Sequence, residues 1–229
     1  MTSLTDLERA RFNMIEQQIR PWVVPDAQVL QLLSSVRRED FVPLAHKALA
    51  FADLRIPLTQ PAEAALENGQ CMLEPKLEAR FLQDLHVLPT DKVLEVGAGS
   101  GYMAALLAHR AQRVVTLEIV PELVQMARGN LQRAGLTNVE VREADGSRGL
   151  AAEGPFDAIV LSGSVAEVPA QLLSQLKVGG RLAAIVGFEP VMRATIVRRT
   201  GEATYTTTEP WDTVAPRLVH FPEPARFRF

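Results

Sequence analysis

Val93-Leu94-Glu95-Val96-Gly97-Ala98-Gly99-Ser100-Gly101-Tyr102 reads as a buried strand that breaks into a glycine loop and then opens a helix. Glycine at 97 and 99 lets the main chain approach a ligand, because a side chain there would hold the ligand off, and glycine tolerates φ > 0. The helix behind the loop offers unpaired N–H groups and the positive end of its dipole. A dinucleotide fingerprint runs G-x-G-x-x-G with pyrophosphate at the helix N-terminus. Here the glycines fall at 97, 99 and 101, one residue short of that pattern, and Glu95 precedes the first of them. An acid at the end of the first strand suits a ligand carrying an ammonium group and repels a diphosphate. The alternative is a tight turn with no ligand.

Two further strand ends complete the pattern. Val114-Val115-Thr116-Leu117-Glu118 is a β-branched apolar run ending in an acid, followed by Ile119. In nucleotide-binding α/β folds an acid at this place accepts the ribose hydroxyls; a solvated strand end is the other reading. Val139 to Glu143 alternates like a third strand and leads to Asp145-Gly146, either a site acid or a common turn dipeptide. Pro155 to Leu161 supplies a fourth strand. Strands alternating with helices at this spacing predict a parallel sheet covered by helices. Ligands then sit at the carboxyl ends of the strands, where the glycines and all three acids fall.

A chain of 229 residues is large enough for a sizeable core and can remain one compact domain. The reading divides it into a helical and irregular lead on the substrate side, residues 1–74, and a core with C-terminal strands, residues 75–229. The net charge of −3 and the lack of a basic block point away from nucleic acid. No apolar run reaches transmembrane length, and Met1 to Arg11 is polar and mixed in charge, unlike a secretory signal. The single cysteine, Cys71, excludes an internal disulfide and suits a reducing compartment. A cytoplasmic location is expected. No metal-ligand cluster is visible.

In the lead, Thr5 and Glu8 have capping-box spacing, and Leu7, Phe12, Ile15 and Ile19 trace an approximate apolar face. A second helix is predicted from about Asp26 to Val36. Residues 37–70, with Pro43, Pro57 and Pro61, read as mostly irregular, and irregular segments of this length in compact domains are usually functional or disordered. Leu123, Met126, Ala127 and Leu131 form a packing stripe on the helix after the second strand. Strands are predicted near 191–199 and 203–209, then a proline-rich tail.

The E-x-G-x-G-x-G run of Glu95 to Gly101 resembles the first motif of class I S-adenosylmethionine (SAM) methyltransferases. Met14-Ile15-Glu16-Gln17-Gln18-Ile19, Val36-Arg37-Arg38-Glu39-Asp40-Phe41-Val42-Pro43, Ala50-Phe51-Ala52-Asp53 and Gly69-Gln70 resemble the N-terminal part of the protein-L-isoaspartate O-methyltransferase family, and Leu172 to Leu182 resembles its approach to the fifth strand. The resemblance covers about residues 12–187. It implies a Rossmann-like α/β fold with a mostly parallel sheet, helices on both faces, a helical N-terminal extension and C-terminal strands. It implies SAM as cofactor, held by Glu95, Gly97, Ala98, Gly99, Ser100, Gly101, Glu118, Ile119, Asp145 and Gly146, with Asp145 receiving the adenine amino group. It implies methylation of the abnormal carboxylate of an isoaspartyl residue in a protein or peptide, by a monomer or small homo-oligomer.

The substrate motif departs from the family. Its Thr-Ile-Ser-Gln-Pro signature after Gly-Gln is replaced by Cys71-Met72-Leu73-Glu74-Pro75, so Leu73 takes the serine position and has no hydroxyl. After the fourth strand, Ser162-Gly163-Ser164 stands where the family commonly has Thr-Ala-Ala. Cys71, Ser162 and Ser164 are the candidates to replace the lost donor; without one of them, isoaspartyl methylation is expected to be weak or absent. Two other outcomes stay open: methylation of a different, small acceptor, or a SAM-binding protein without chemistry. A dinucleotide oxidoreductase is disfavoured by the glycine spacing and Glu95. A carboxylate attacks a sulfonium methyl without prior deprotonation at neutral pH, so alignment supplies most of the rate. Accordingly no acid–base pair is evident, and His46, His86, His109 and His220 are scattered. Arg37 and Arg38 could attract a peptide carboxylate or form a solvated pair.

Overall fold

In the computed structural model, which describes residues 5–224, the chain forms α1 (Asp6–Met14), α2 (Ala27–Ser35), β1 (Ile56–Pro57), α3 (Ala62–Glu67), β2 (Cys71–Met72), α4 (Pro75–Leu85), β3 (Lys92–Val96), α5 (Tyr102–Ala108), β4 (Arg113–Glu118), α6 (Pro121–Arg133), β5 (Val139–Glu143), β6 (Phe156–Val165), α7 (Ala170–Leu173), β7 (Leu176–Phe188), β8 (Val191–Arg199) and β9 (Tyr205–Thr213). Residues 1–4 of the polar lead and 225–229 of the tail lie outside the described residues.

The main sheet has the order β5-β4-β3-β6-β7-β8-β9. Its first five members are parallel, with Val93 beside Val114 and Leu94 beside Ile159. The two C-terminal strands add antiparallel. Strand side chains alternate between two cores. Val93, Val114, Ala158, Val160, Ala183 and Ile185 pack with α4, α5, α6 and the lead. Leu94, Val96, Val115, Leu117, Ile159, Leu161, Leu182 and Ala184 pack with Leu172 of α7 and with Phe221 of the tail. Burial on both faces explains why these strands read as continuous apolar runs. Each fully buried Leu or Ile contributes about 1.5–3 kcal/mol relative to exposure.

The lead departs from expectation in two ways. The predicted capping box forms, with Thr5 Oγ1 accepting from Glu8 N and Glu8 returning the contact. Yet Leu7 and Phe12 are exposed, while Arg11, Met14, Ile15 and Ile19 face inward. A π-helical turn over Ile15–Ile19 rotates the buried face relative to a regular α-helix. Residues 37–70 are also more ordered than predicted: two 3₁₀ turns, β1 and α3 lie there, and β1 pairs antiparallel with β2. The stretch is polar and proline-rich because its hydrogen bonds are local, a pattern with little periodicity to read.

Arg38 fixes this segment. It is fully buried, donating to the Ala50 carbonyl at 3.1 Å and the Leu73 carbonyl at 2.7 Å, and it pairs with buried Glu78 of α4. Removing one member would leave an uncompensated buried charge, typically about 3–5 kcal/mol. Arg38 is therefore structural, and exposed Arg37 pairs with Glu39 and Asp40. The network holds β2 and Leu73 against the sheet.

Candidate active site

The glycine loop turns between β3 and α5 with Gly97, Gly99 and Gly101 at φ +93°, +53° and +84°. Only glycine holds such angles in succession without strain. The N–H groups of Gly97 and Ala98 donate to the Leu117 carbonyl, that of Gly99 to Glu118, and that of Gly101 to the Ala98 carbonyl. The sequence pointed to open N–H groups at the start of α5; within the loop itself the N–H groups of Gly97, Ala98, Gly99 and Gly101 turn onto β4 and the loop.

Glu118 ends β4 and is buried. One carboxylate oxygen accepts from Gly99 N at 2.9 Å, the other from Ile119 N at 2.9 Å and Val120 N at 3.0 Å. A carboxylate has about four acceptor positions, so room remains for a hydroxyl. Asp145 is exposed beyond β5; Oδ1 accepts from Ser147 N at 2.9 Å and Oδ2 lies 2.9 Å from His220 Nδ1. These groups, Gly97, Gly99, Ile119 and Gly146 line one cavity of about 470 Å³. A groove of about 850 Å³ between residues 35–47 and α6 contains neither the loop nor the strand-end acids.

Glu95 lies beneath the loop. It is fully buried, Oε1 accepts from Ser162 Oγ at 2.7 Å, and Oε2 makes no well-formed hydrogen bond, with Thr116 the other hydroxyl facing the carboxyl. Burial pushes its carboxyl up to about 8. An unsatisfied carboxylate oxygen beside a glycine loop is what an ammonium-bearing ligand would complete. The glycines, the two strand-end acids and this oxygen therefore fit a SAM-type cofactor, with Ala98 and Ser100 buried in the loop itself.

The acceptor candidates are distributed unevenly. Cys71 and Ser162 line the cavity, but Ser162 already donates to Glu95. Burial pushes the Cys71 thiol up to about 11, so it is neutral and a poor nucleophile. Ser164 is fully buried away from the cavity, and its hydroxyl donates to the Ala215 carbonyl at 2.8 Å. Leu73 is buried beside Glu95, Ser162 and Tyr102 in a small neighbouring void.

The tail is the part that sequence reasoning missed. Pro216 O accepts from Ser164 N at 2.7 Å, and Leu218 N donates to Ser164 O at 2.9 Å, so the tail runs as a short strap along the end of β6. Arg217, Leu218, Val219 and Phe221 line the cavity. The Leu218 side chain fills the space above Gly97 and Gly163, where added Cβ atoms would meet it at 3.1 and 2.8 Å. Leu58, from the lead, closes on Gly99 in the same way at 3.3 Å. The usable signal was Gly163 between two serines, a gap that only a docked side chain explains.

The family model described as protein-L-isoaspartate(D-aspartate) O-methyltransferase matches residues 9–214. A protein-L-isoaspartate O-methyltransferase of Methanoculleus marisnigri is 40% identical, covering 78% of this chain and 78% of its own. One of Koribacter versatilis is 39% identical, covering 84% of this chain and 82% of its own. In fold, the chain is similar to a Plasmodium falciparum protein-L-isoaspartate O-methyltransferase crystallised with S-adenosyl-L-homocysteine, with TM-score 0.75 and 18% identity over 93% of this chain and 98% of that one. The glycine loop, the order of the strands and the extent of the matches lead to one conclusion: the chain belongs to the protein-L-isoaspartate(D-aspartate) O-methyltransferase family.

Proposed function

We propose that this chain transfers the methyl group of SAM to the α-carboxylate left free by an isoaspartyl linkage in a protein or peptide. The observation that carries this reading is the buried Glu95 oxygen, without a well-formed hydrogen bond, beneath a glycine loop whose N–H groups are turned away, within a matched family of that activity. SAM supplies a methyl already activated on a sulfonium. Glu95 receives its ammonium, Glu118 a ribose hydroxyl and Asp145 the adenine amino group, while Gly97 and Gly99 allow close approach. Ile119 and Gly146 flank the nucleoside, and Ala98 and Ser100 fix the loop. The acceptor enters from the side of Gly69, Gln70 and Cys71, so the lead, residues 1–74, forms the substrate side and residues 75–229 the cofactor side.

The acceptor oxygen attacks the methyl carbon, the carbon–sulfur bond breaks with its electron pair on sulfur, and a methyl ester forms. No proton needs to move, which agrees with a cleft that has no histidine among its described lining residues. No helix among the described residues is long and apolar enough to cross a membrane. The single cysteine, which excludes an internal disulfide, supports action in a reducing compartment such as the cytoplasm. Incubation with methyl-labelled SAM and an isoaspartyl peptide tests the proposal. Base-labile label on the peptide is expected; no transfer despite tight S-adenosylhomocysteine binding would overturn it.

A further inference from the structure

The acceptor proposed above is an anion, yet the cleft is acidic. Glu67, Glu118 and Asp145 line it, and Arg217 is the one cationic side chain among its described lining residues. Arg217 sits on the strap, bridged to Ser164 at the carboxyl end of β6, the same end that carries Ser162. Its guanidinium is held on three sides. Nη2 donates to the Gly187 carbonyl at 2.9 Å, Nε pairs with Glu223 at 3.0 Å, and the group lies 5.1 Å over the Phe188 ring. The remaining nitrogen, Nη1, is buried and has no hydrogen-bond partner.

Leaving a charged donor buried and unsatisfied is costly. None of the hydroxyl candidates answers for the acceptor, and the Asn68 and Gln70 amides that line the cleft carry no charge for it. Leu73 has no hydroxyl, Ser162 donates to Glu95, and Ser164 donates to Ala215. We infer that Arg217 is the specificity residue of this enzyme, its guanidinium, on a side chain that lines the cleft and is 28% exposed, receiving one oxygen of the acceptor carboxylate. A guanidinium already fixed by its other nitrogens holds that oxygen with little further ordering. The second oxygen is left to attack the methyl carbon. The contact selects a carboxylate over an amide, which carries no charge for it. This inference rests on the proposed reaction.

Its test uses the full chain with an isoaspartyl peptide, comparing parent, Arg217→Gln and Arg217→Lys. Arg217→Gln should raise the peptide KM about tenfold or more, the scale of one charged hydrogen bond, and leave S-adenosylhomocysteine affinity within about twofold. Parental KM should rise with added KCl, as a screened ionic contact requires, and that salt dependence should vanish in Arg217→Gln. Arg217→Lys should be intermediate and keep the salt dependence. A strap that merely braces the fold would lower melting temperature without removing the salt dependence. If Arg217→Gln does not fold, Arg217→Lys decides alone: a raised KM supports the contact and an unchanged one overturns it. An active parent whose KM ignores position 217 sinks this inference only; an inactive parent sinks the proposed reaction and this inference with it.

Discussion

Glu95 couples the site to pH. Burial pushes its carboxyl from the ordinary 4.5 to about 8, so the folded chain keeps a proton that the unfolded chain has released. Its contribution to stability is fully present below about 4.5 and is lost as pH rises through about 8. Melting of the cofactor-free protein should fall across that window, and Glu95→Gln should flatten the fall. Binding an ammonium-bearing cofactor ionises Glu95, so S-adenosylhomocysteine should bind more tightly from pH 6 to 8, roughly and at most tenfold per pH unit, with proton release seen by calorimetry in two buffers. A pH-independent affinity in the parent would contradict this role. Glu118→Ala should weaken the same ligand roughly ten- to hundredfold, since it removes both a hydroxyl acceptor and the hold on Gly99 N. Unchanged affinity would remove Glu118 from the site. These residues were legible because strand, glycine spacing and strand-end acids share one local pattern. The hydrogen-bond state of Ser162 and Ser164 was not legible, because their partners lie 67 and 51 positions away.

At the scale of elements, the loop and strap limit each other. Gly99→Val places a β-branched residue at φ +53° and against Leu58, so it should lose cofactor binding and lower the melting temperature together. Parental affinity in that variant would mean the loop has been misread. Gly163→Ala puts a methyl 2.8 Å from Leu218 and 3.1 Å from the Pro216 carbonyl. It should dislodge the strap, seen as faster protease cleavage after residue 214 and a raised peptide KM. Cleavage at the parental rate would show that the strap is not seated there. The parallel strands, α2 with its Asp26 cap and β8 were readable from period and caps. The strap, α3 and the π-helical turn were not, for different reasons. Among the described residues the strap takes its one bridge from a distant residue, α3 is six residues long, and the turn changes period without changing composition.

At the scale of the whole molecule, lead, sheet and tail converge on one cleft. Trp22 of the lead meets Trp211 of β9 edge to face, Phe81 of α4 packs tilted against the same Trp211, and Trp211 donates to Asp84 at 2.8 Å. Leu58 of the lead and Leu218 of the strap both pack against the glycine loop, at Gly99 and Gly97. Of the departures from the family pattern, Leu73 borders Glu95 and Ser162, Gly163 lies under Leu218, and Ser164 is buried beneath the strap. The lost hydroxyl at 73 stood in the sequence, whereas the place of the strap over Gly163 did not. The most direct test of the account is the rate of methyl transfer from labelled SAM to an isoaspartyl peptide and to its normal aspartyl twin, measured side by side. The account predicts saturable labelling of the isoaspartyl peptide as a base-labile ester and background labelling of the twin. Equal labelling of both peptides, or of neither while S-adenosylhomocysteine binds tightly, would contradict it.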